Sequence, residues 1–164
     1  MDNHNSDAME LTMNLVRINS TDPGAYEGEI GEFIFQYLKG LDVPVIKKEV
    51  LPGRFNVMAR LEGEEQAPAL VYICHMATVT TGEGWTVSPF GAEVIKGRIH
   101  GRGACDMKSG LACALSAFTS MALKARDGQK PKRTLVFIGT VDEEDFMRGA
   151  EAAIADGWVT KDCW

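Results

Sequence analysis

The segment Val71–Thr80 reads VYICHMATVT, and it continues an apolar run that begins at Ala69. Valine, tyrosine and isoleucine follow one another without a charged residue, which is typical of a strand rather than of an exposed loop. Because both alternating sets of side chains are apolar, the pattern predicts a central strand covered on both faces. The run ends at His75, so the imidazole is expected at the end of a buried strand.

Similar strands and several helical patterns flank this segment. Strands are predicted at VPVIKKEV (43–50), FNVMARLEG (55–63) and RTLVFIGTV (133–141), with a hairpin at AEVIKGRIHG (92–101) that turns near Lys96 and Gly97. Apolar residues at helical spacing predict helices over about 6–18, 27–41, 109–123 and 146–156. The alternation predicts an α/β fold, a three-layer α/β/α sandwich around a mixed sheet.

Composition limits the function classes. The 164 residues suit one domain with a real core, and the net charge of −6 disfavours nucleic acid as a partner. No stretch approaches the roughly 18 apolar residues of a membrane span, and the N-terminal MDNHNSDAME is unlike a signal peptide. The cysteines form no C-x-x-C pair, which predicts reduced thiols in a cytoplasmic protein.

Imidazole and carboxylate side chains follow the predicted strands. His75 ends one strand, Asp106 lies in the glycine-flanked turn RGACDMKSG, and Glu143 and Glu144 follow another strand. Sites in open α/β sheets form outside the carboxyl ends of strands, so these residues are expected to converge. One imidazole with several carboxylates suits Zn²⁺, Mn²⁺ or Co²⁺. Of two adjacent glutamates, one can hold a metal while the other acts as a general base.

The order of these motifs resembles the M20 metallopeptidases, a family that includes acetylornithine deacetylase, succinyl-diaminopimelate desuccinylase and carboxypeptidase G2. The matching pieces are HMATV (75–79), WTVSPF (85–90), GRGACDMKSG (101–110) and DEEDFMRGA (142–150). The resemblance implies a zinc-peptidase-like catalytic domain that uses two zinc ions, with cobalt or manganese as alternatives. It also implies hydrolysis of an amide bond in an N-acyl amino acid or a short peptide.

The resemblance also implies individual roles. His75 corresponds to a ligand of one zinc, Asp106 to the carboxylate that bridges both ions, and Glu144 to a ligand of the second. Glu143 corresponds to the general base. Ala77 occupies the position of the family's catalytic Asp, which hydrogen-bonds the metal-binding imidazole. His75 is therefore expected to lack its orienting partner, and such a loss typically costs about 10–100-fold in metal affinity or activity.

The family takes further ligands and its lid from segments that follow those matched here. Residues 1–164 are therefore expected to be the N-terminal part of the catalytic domain, without the lid or dimerisation domain and the remainder of the catalytic domain. We expect one zinc or none in these residues, no turnover by them alone, and a homodimer only through the missing domain.

Three other interpretations compete with this one. A cysteine hydrolase is disfavoured because Cys74 and His75 are neighbours on a strand and face opposite ways. A P-loop at Lys108 fails because Met107 and Arg102 stand where it needs glycine. The third is a catalytically degenerate relative that binds a ligand or partner. Ala77 favours this third interpretation, whereas the complete acidic set disfavours it.

Overall fold

The computed structural model describes residues 7–164, and helices and strands alternate along this range. The helices are α1 (Ala8–Arg17), α2 (Gly28–Lys39), α3 (Ser109–Arg126) and α4 (Arg148–Ala155). The strands are β1 (Val45–Leu51), β2 (Arg54–Leu61), β3 (Leu70–His75), β4 (Glu93–Ile95), β5 (Arg98–His100) and β6 (Leu135–Thr140).

The main sheet of the described residues has the strand order β1-β2-β6-β3. The pairs β1–β2 and β2–β6 are antiparallel, and β3–β6 is parallel. This mixed sheet with helices on both faces confirms the predicted α/β class. Among the described residues β3 is the last named strand in this order and β6 lies inside, while the backbone of Trp164 bonds the outer edge of β3 at Ala69 and Val71. An apolar run cannot by itself distinguish the two positions, and Ile73 on β3 is 46% exposed.

The two faces of the sheet are covered unequally. Helices α1, α2 and α3 pack on one face, where Leu15, Ile34, Phe118 and Phe137 belong to one large buried cluster. The opposite face carries a smaller cluster that joins Ala153 of α4 to Met58 of β2 and to Val136 and Ile138 of β6. Successive side chains of β6 point to opposite faces of the sheet, so adjacent residues of this strand belong to different clusters.

Local sequence signals account for several element boundaries. Asp7 caps α1, since its carboxylate accepts a hydrogen bond from the Met9 N–H at 2.8 Å. Ser6, at which the predicted helix begins, lies outside the described residues. The hairpin turns at Lys96 and Gly97, both with positive φ, as a two-residue turn between β4 and β5 requires.

The parallel pairing of β3 with β6 sets the position of the candidate site. His75 is the register partner of Thr140, so the two strands end at the same edge of the sheet. The loops that follow them therefore meet there, as the sequence predicts. Among residues 7–164, we find no helix that combines the length and apolarity needed to cross a bilayer.

Candidate metal centre

Three separate segments deliver side chains to the shared edge of β3 and β6. His75 is the last residue of β3, and Glu143 and Glu144 follow β6 after two further residues. Asp106 belongs to an irregular turn, Ala104–Lys108, which leads directly into α3 and contains a cis peptide bond between Asp106 and Met107. The backbone N–H of His75 contacts the sulfur of Met107 at 3.3 Å, so the turn lies against the end of the strand.

The predicted ligands converge although they are far apart in sequence. His75, Asp106 and Glu144 each offer one ligand atom, and these atoms lie within 4.8 Å of one another. The Nε2 atom of His75 is 3.1 Å from Oδ1 of Asp106. The predicted general base, Glu143, is also present, with Oε2 at 3.7 Å from the same nitrogen.

The orientation of His75 differs from the expectation. Its Nδ1 atom lies 2.9 Å from the backbone carbonyl oxygen of Ala77, so the imidazole does not lack an orienting partner. A carbonyl oxygen only accepts hydrogen bonds, so Nδ1 must carry a hydrogen and donate it. Ala77 therefore orients the ring through its main chain, whereas its methyl side chain is buried. Sequence reasoning missed this partner because every residue type carries a backbone carbonyl.

This hydrogen bond leaves Nε2 to face the carboxylates. Without a second proton, Nε2 presents a lone pair toward Asp106 Oδ1 at 3.1 Å, which is electrostatically unfavourable. A proton on Nε2 or a cation between the two atoms relieves the repulsion. Four ligands held tetrahedrally at about 2.0–2.2 Å from Zn²⁺ stand about 3.3–3.6 Å apart. The nitrogen and oxygen donors suit a divalent cation, and the 3.1 Å between Nε2 of His75 and Oδ1 of Asp106 is slightly shorter than this ligand spacing.

Burial differs among the acidic groups. The side chain of Asp106 is 80% exposed and that of Glu143 is 38% exposed, whereas His75 is only 9% exposed. Burial raises the pKa of the Glu144 carboxyl, and the neighbouring charges of Glu143 and Asp106 raise it further. His75 and a backbone hydrogen bond at Val79 act in the opposite direction. Several negative groups thus share one edge, and a cation there would relieve their repulsion.

The cysteine interpretation finds no support at this site. Burial raises the pKa of the Cys74 thiol to about 11, so the thiol stays protonated at neutral pH. The imidazole next to it in sequence is directed to Ala77 and Asp106 instead. The four cysteines of the chain are all free thiols, as predicted.

Two basic residues that flank Asp106 have structural contacts. Arg102 donates a hydrogen bond to the carbonyl of Thr81 at 3.0 Å, and its guanidinium lies over the ring of Trp85. Lys108 is 1% exposed, and its ammonium donates to the carbonyl of Ile18 at 2.6 Å. Burial lowers the pKa of Lys108 to about 8, partly offset by the charge of Glu29. His100 lies on β5, within the hairpin.

Sequence reasoning also missed a buried ionic network beside the site. Arg54 of β2 is 8% exposed and donates to both carboxylate oxygens of Glu27, at 2.6 and 2.7 Å. The same guanidinium bonds Asp22 at 2.5 Å and lies 3.3 Å from Asp142. Asp142 immediately precedes Glu143, and Arg148 binds its carboxylate with two further hydrogen bonds. No sequence pattern indicates this network, because its members lie on three distant segments.

The fold and the site define an α/β protein with a candidate metal centre. Its histidine and carboxylates cluster at the ends of parallel strands in a mixed sheet. The chain belongs to peptidase family M20/M25/M40, whose family model matches residues 71–163. It is 34% identical over 148 residues to a succinyl-diaminopimelate desuccinylase of Methylobacterium radiotolerans. That alignment covers 87% of this chain and 36% of the relative, so the chain spans about a third of the relative's length.

Solved structures of the same family share the fold. The chain superposes on an M20 family metallo-carboxypeptidase, Sso-CP2 from Sulfolobus solfataricus, with a TM-score of 0.70 and 18% identity, over 81% of this chain and 30% of that one. It also matches the Bacillus subtilis YXEP protein, described as a dinuclear metal binding peptidase from the M20 family, with a TM-score of 0.62 and 16% identity. The second match covers 95% of this chain and 40% of that one.

Proposed function

We propose that residues 1–164 form the N-terminal part of the catalytic domain of a metal-dependent hydrolase that cleaves an amide bond. The observation that carries the proposal is the arrangement around His75. Its Nδ1 is occupied by the Ala77 carbonyl, and its Nε2 faces Asp106 at 3.1 Å and Glu143 at 3.7 Å. Membership of peptidase family M20/M25/M40 supports the same reaction class.

The proposed metal ligands are His75, Asp106 and Glu144, the three side chains whose donor atoms cluster within 4.8 Å. In the whole protein His75 would hold one ion and Glu144 the other, with Asp106 shared between them. Zinc suits this mixed nitrogen and oxygen set, with cobalt or manganese as alternatives. The exposed Asp106 has a second carboxylate oxygen, which supports a bridging role between two ions in the whole protein. The dinuclear YXEP relative is in line with two ions. Residues 1–164 alone would hold one ion or none.

Glu143 is the proposed general base. Its side chain is 38% exposed and lies 3.7 Å from Nε2 of His75, so water can reach the carboxylate beside the proposed ligands. Its carboxylate would accept the proton of the attacking water and later pass that proton to the leaving amine. A bound cation would polarise the scissile carbonyl and increase the acidity of the water. The amide C–N bond then breaks to give a carboxylate and an amine.

The proposed substrates are an N-acyl amino acid or a short peptide. The desuccinylase relative, named for removing a succinyl group, supports an N-acyl substrate. The acidic chain, at −6, disfavours nucleic acid as a partner, and the free thiols support a reducing cytoplasmic location. A homodimer, if formed, is expected to use the lid or dimerisation domain beyond these residues.

The second candidate function is a catalytically degenerate protein that binds a ligand or partner at this site. The alanine at position 77 favours it, since the family pattern has aspartate there. The retained carboxylates at 106, 143 and 144 favour an enzyme instead. Restoring the aspartate in the whole protein separates the two, because an enzyme would gain hydrolysis and a binding protein would not.

The function is tested by amine release from N-succinyl and N-acetyl amino acids by the whole protein. We expect a chelator to abolish release and added zinc or cobalt to restore it. A rate that survives complete removal of metal would contradict the proposal. The 164-residue chain alone is expected to show no hydrolysis, and zinc-dependent turnover by it would contradict that part.

The Ala77→Asp variant is expected to bind zinc about tenfold more tightly than the natural chain, since a carboxylate partner raises the basicity of a metal-binding imidazole more than a neutral carbonyl does. Zinc affinity is measured by competition with a chromogenic chelator. Ala77→Asn is the matched control, with nearly the same shape and no charge. Adding His75→Ala to Ala77→Asp should remove the gain. Equal zinc affinity of the natural chain, Ala77→Asp and Ala77→Asn would mean that the Ala77 carbonyl already orients His75 fully for zinc binding.

A further inference from the structure

The geometry points to the connection between α1 and α2, residues 18–27, as the element that positions all three ligand-bearing segments relative to one another. We call these residues the bracing segment. The inference rests on the proposed function, since it takes His75, Asp106 and Glu144 as the metal ligands. In sequence the segment has only the pattern of a polar loop, INSTDPGAYE. In the structure it contacts each ligand-bearing segment separately.

The middle of the bracing segment holds the loop that follows His75. The hydroxyl of Ser20, which is fully buried, donates to the carbonyl of Met76 at 2.8 Å. The N–H of Thr78 donates to the carbonyl of Ser20 at 3.0 Å, and the N–H of Asp22 donates to the carbonyl of Thr78 at 2.8 Å. These bonds surround Ala77, whose carbonyl orients the His75 ring.

The start of the bracing segment holds the turn that carries Asp106. The ammonium of Lys108 reaches through the interior to the carbonyl of Ile18 at 2.6 Å. The stem of this lysine passes so close to Gly103 that a Cβ atom at that position would lie only 3.2 Å from Cδ of the lysine. Gly103 has a φ of +78°, which glycine adopts without steric cost. The Lys108 side chain thus packs against Gly103 and connects the turn to Ile18 of the bracing segment.

The end of the bracing segment holds the loop that carries Glu143 and Glu144. Oε1 of the fully buried Glu27 accepts a hydrogen bond from the N–H of Asp142 at 2.8 Å. Asp142 has a φ of +67°, a conformation that non-glycine residues rarely adopt. Its own carbonyl accepts a bond from the N–H of Met147 at 2.6 Å, which closes the loop. Glu27 in turn is fixed by Arg54 of β2.

These contacts give the bracing segment a role beyond stability. Buried ion pairs are weak stabilisers, because removing the charges from water offsets much of their attraction. A site with separate ligand-bearing loops needs its donor atoms held within about 0.5 Å of the productive geometry. One segment that is bonded to all three loops, and anchored to the sheet through Arg54, meets this need. Ser20 and Glu27 are therefore positioning residues.

The first test compares two buried hydroxyl groups. Ser20→Ala removes the bond to Met76. Thr119→Val removes a similar bond to Leu115, at 2.7 Å on α3, together with the contact of Thr119 with the Tyr37 hydroxyl at 2.9 Å. We expect Ser20→Ala to weaken zinc binding by about tenfold, the lower end of the range for outer partners of metal ligands. Thr119→Val should leave zinc affinity unchanged. Equal zinc affinity of both variants and the natural chain would overturn the inference.

The second test needs no metal and uses hydrogen exchange of individual amides. Glu27→Gln should accelerate exchange at Asp142, and Ser20→Ala should accelerate exchange at Thr78, because each variant disturbs the corresponding brace. Thr119→Val should change neither amide. Unchanged exchange at both amides in the brace variants would overturn the inference. If the 164-residue chain binds no zinc, which the proposed function allows, the exchange comparison alone decides on the bracing segment. A whole protein that binds no zinc would instead contradict the proposed metal site.

Discussion

Glu143→Gln is expected to lower kcat of the whole protein by about 10²–10⁴-fold, the usual contribution of a general base. Glutamine keeps the shape of the side chain but cannot accept the proton of the attacking water. The assay is best performed with Ala77→Asp present, because that background has the higher expected rate. KM and zinc content should stay nearly unchanged, since the proposed ligands remain in place.

Asp145→Asn is the matched control for this variant. Asp145 is an exposed carboxylate in the same loop, two residues further on, and it lies outside the ligand cluster. Its substitution should leave kcat within about twofold, as for most exposed positions. Glu144→Gln provides the contrast, because it should reduce zinc content together with the rate. A Glu143→Gln protein with the natural kcat would remove Glu143 from the proposed mechanism.

Arg54→Met is expected to lower the free energy of unfolding by about 3–5 kcal/mol, the range for removing one partner of a buried ionic group. The methionine fills much of the space but leaves the carboxylates of Asp22, Glu27 and Asp142 without their shared cation. Unfolding in urea, followed by circular dichroism of the 164-residue chain, measures the difference. Arg60→Met is the control on the same strand, since Arg60 pairs with Glu62 on the surface and its loss should cost at most about 1 kcal/mol.

The difference in unfolding free energy between Arg54→Met and the natural chain should depend on pH, because Arg54 lies next to carboxylates. Hydrogen bonds from Arg148 lower the pKa of Asp142, and the charge of Arg54 lowers it further. A carboxyl with a lowered pKa in the folded state contributes stability at neutral pH and loses it as pH falls through that pKa. Arg54→Met removes one of the two positive charges that lower the pKa of Asp142, so this carboxyl takes up its proton at a higher pH than in the natural chain. The difference in unfolding free energy between Arg54→Met and the natural chain should therefore become smaller as the pH falls into the acidic range. A difference in unfolding free energy that stays constant or widens would mean that the pKa of Asp142 does not depend on Arg54.

The sequence predicted much of the site because the ends of apolar strands can be recognised from the sequence alone. Apolar runs that end in His75 and in Glu143 and Glu144 place these residues at the edge of a sheet. The glycines around Asp106 indicate a tight turn. The structure brings these residues together, but their roles as ligands and base remain predictions for the zinc and kinetic measurements. The strand order is a finding of the structure alone, because hydropathy reports burial and does not report which strands are neighbours.

By itself, the sequence determined the α/β class, the order of the elements and the family, since periodicity and motif spacing are properties of the chain. The tertiary structure alone decided that the carbonyl of Ala77 orients His75 and that Arg54 gathers Asp22, Glu27 and Asp142. The physical reason is that backbone carbonyls are common to all residues and buried ion pairs join distant segments. Neither leaves a local pattern, so both appear only when the chain is folded.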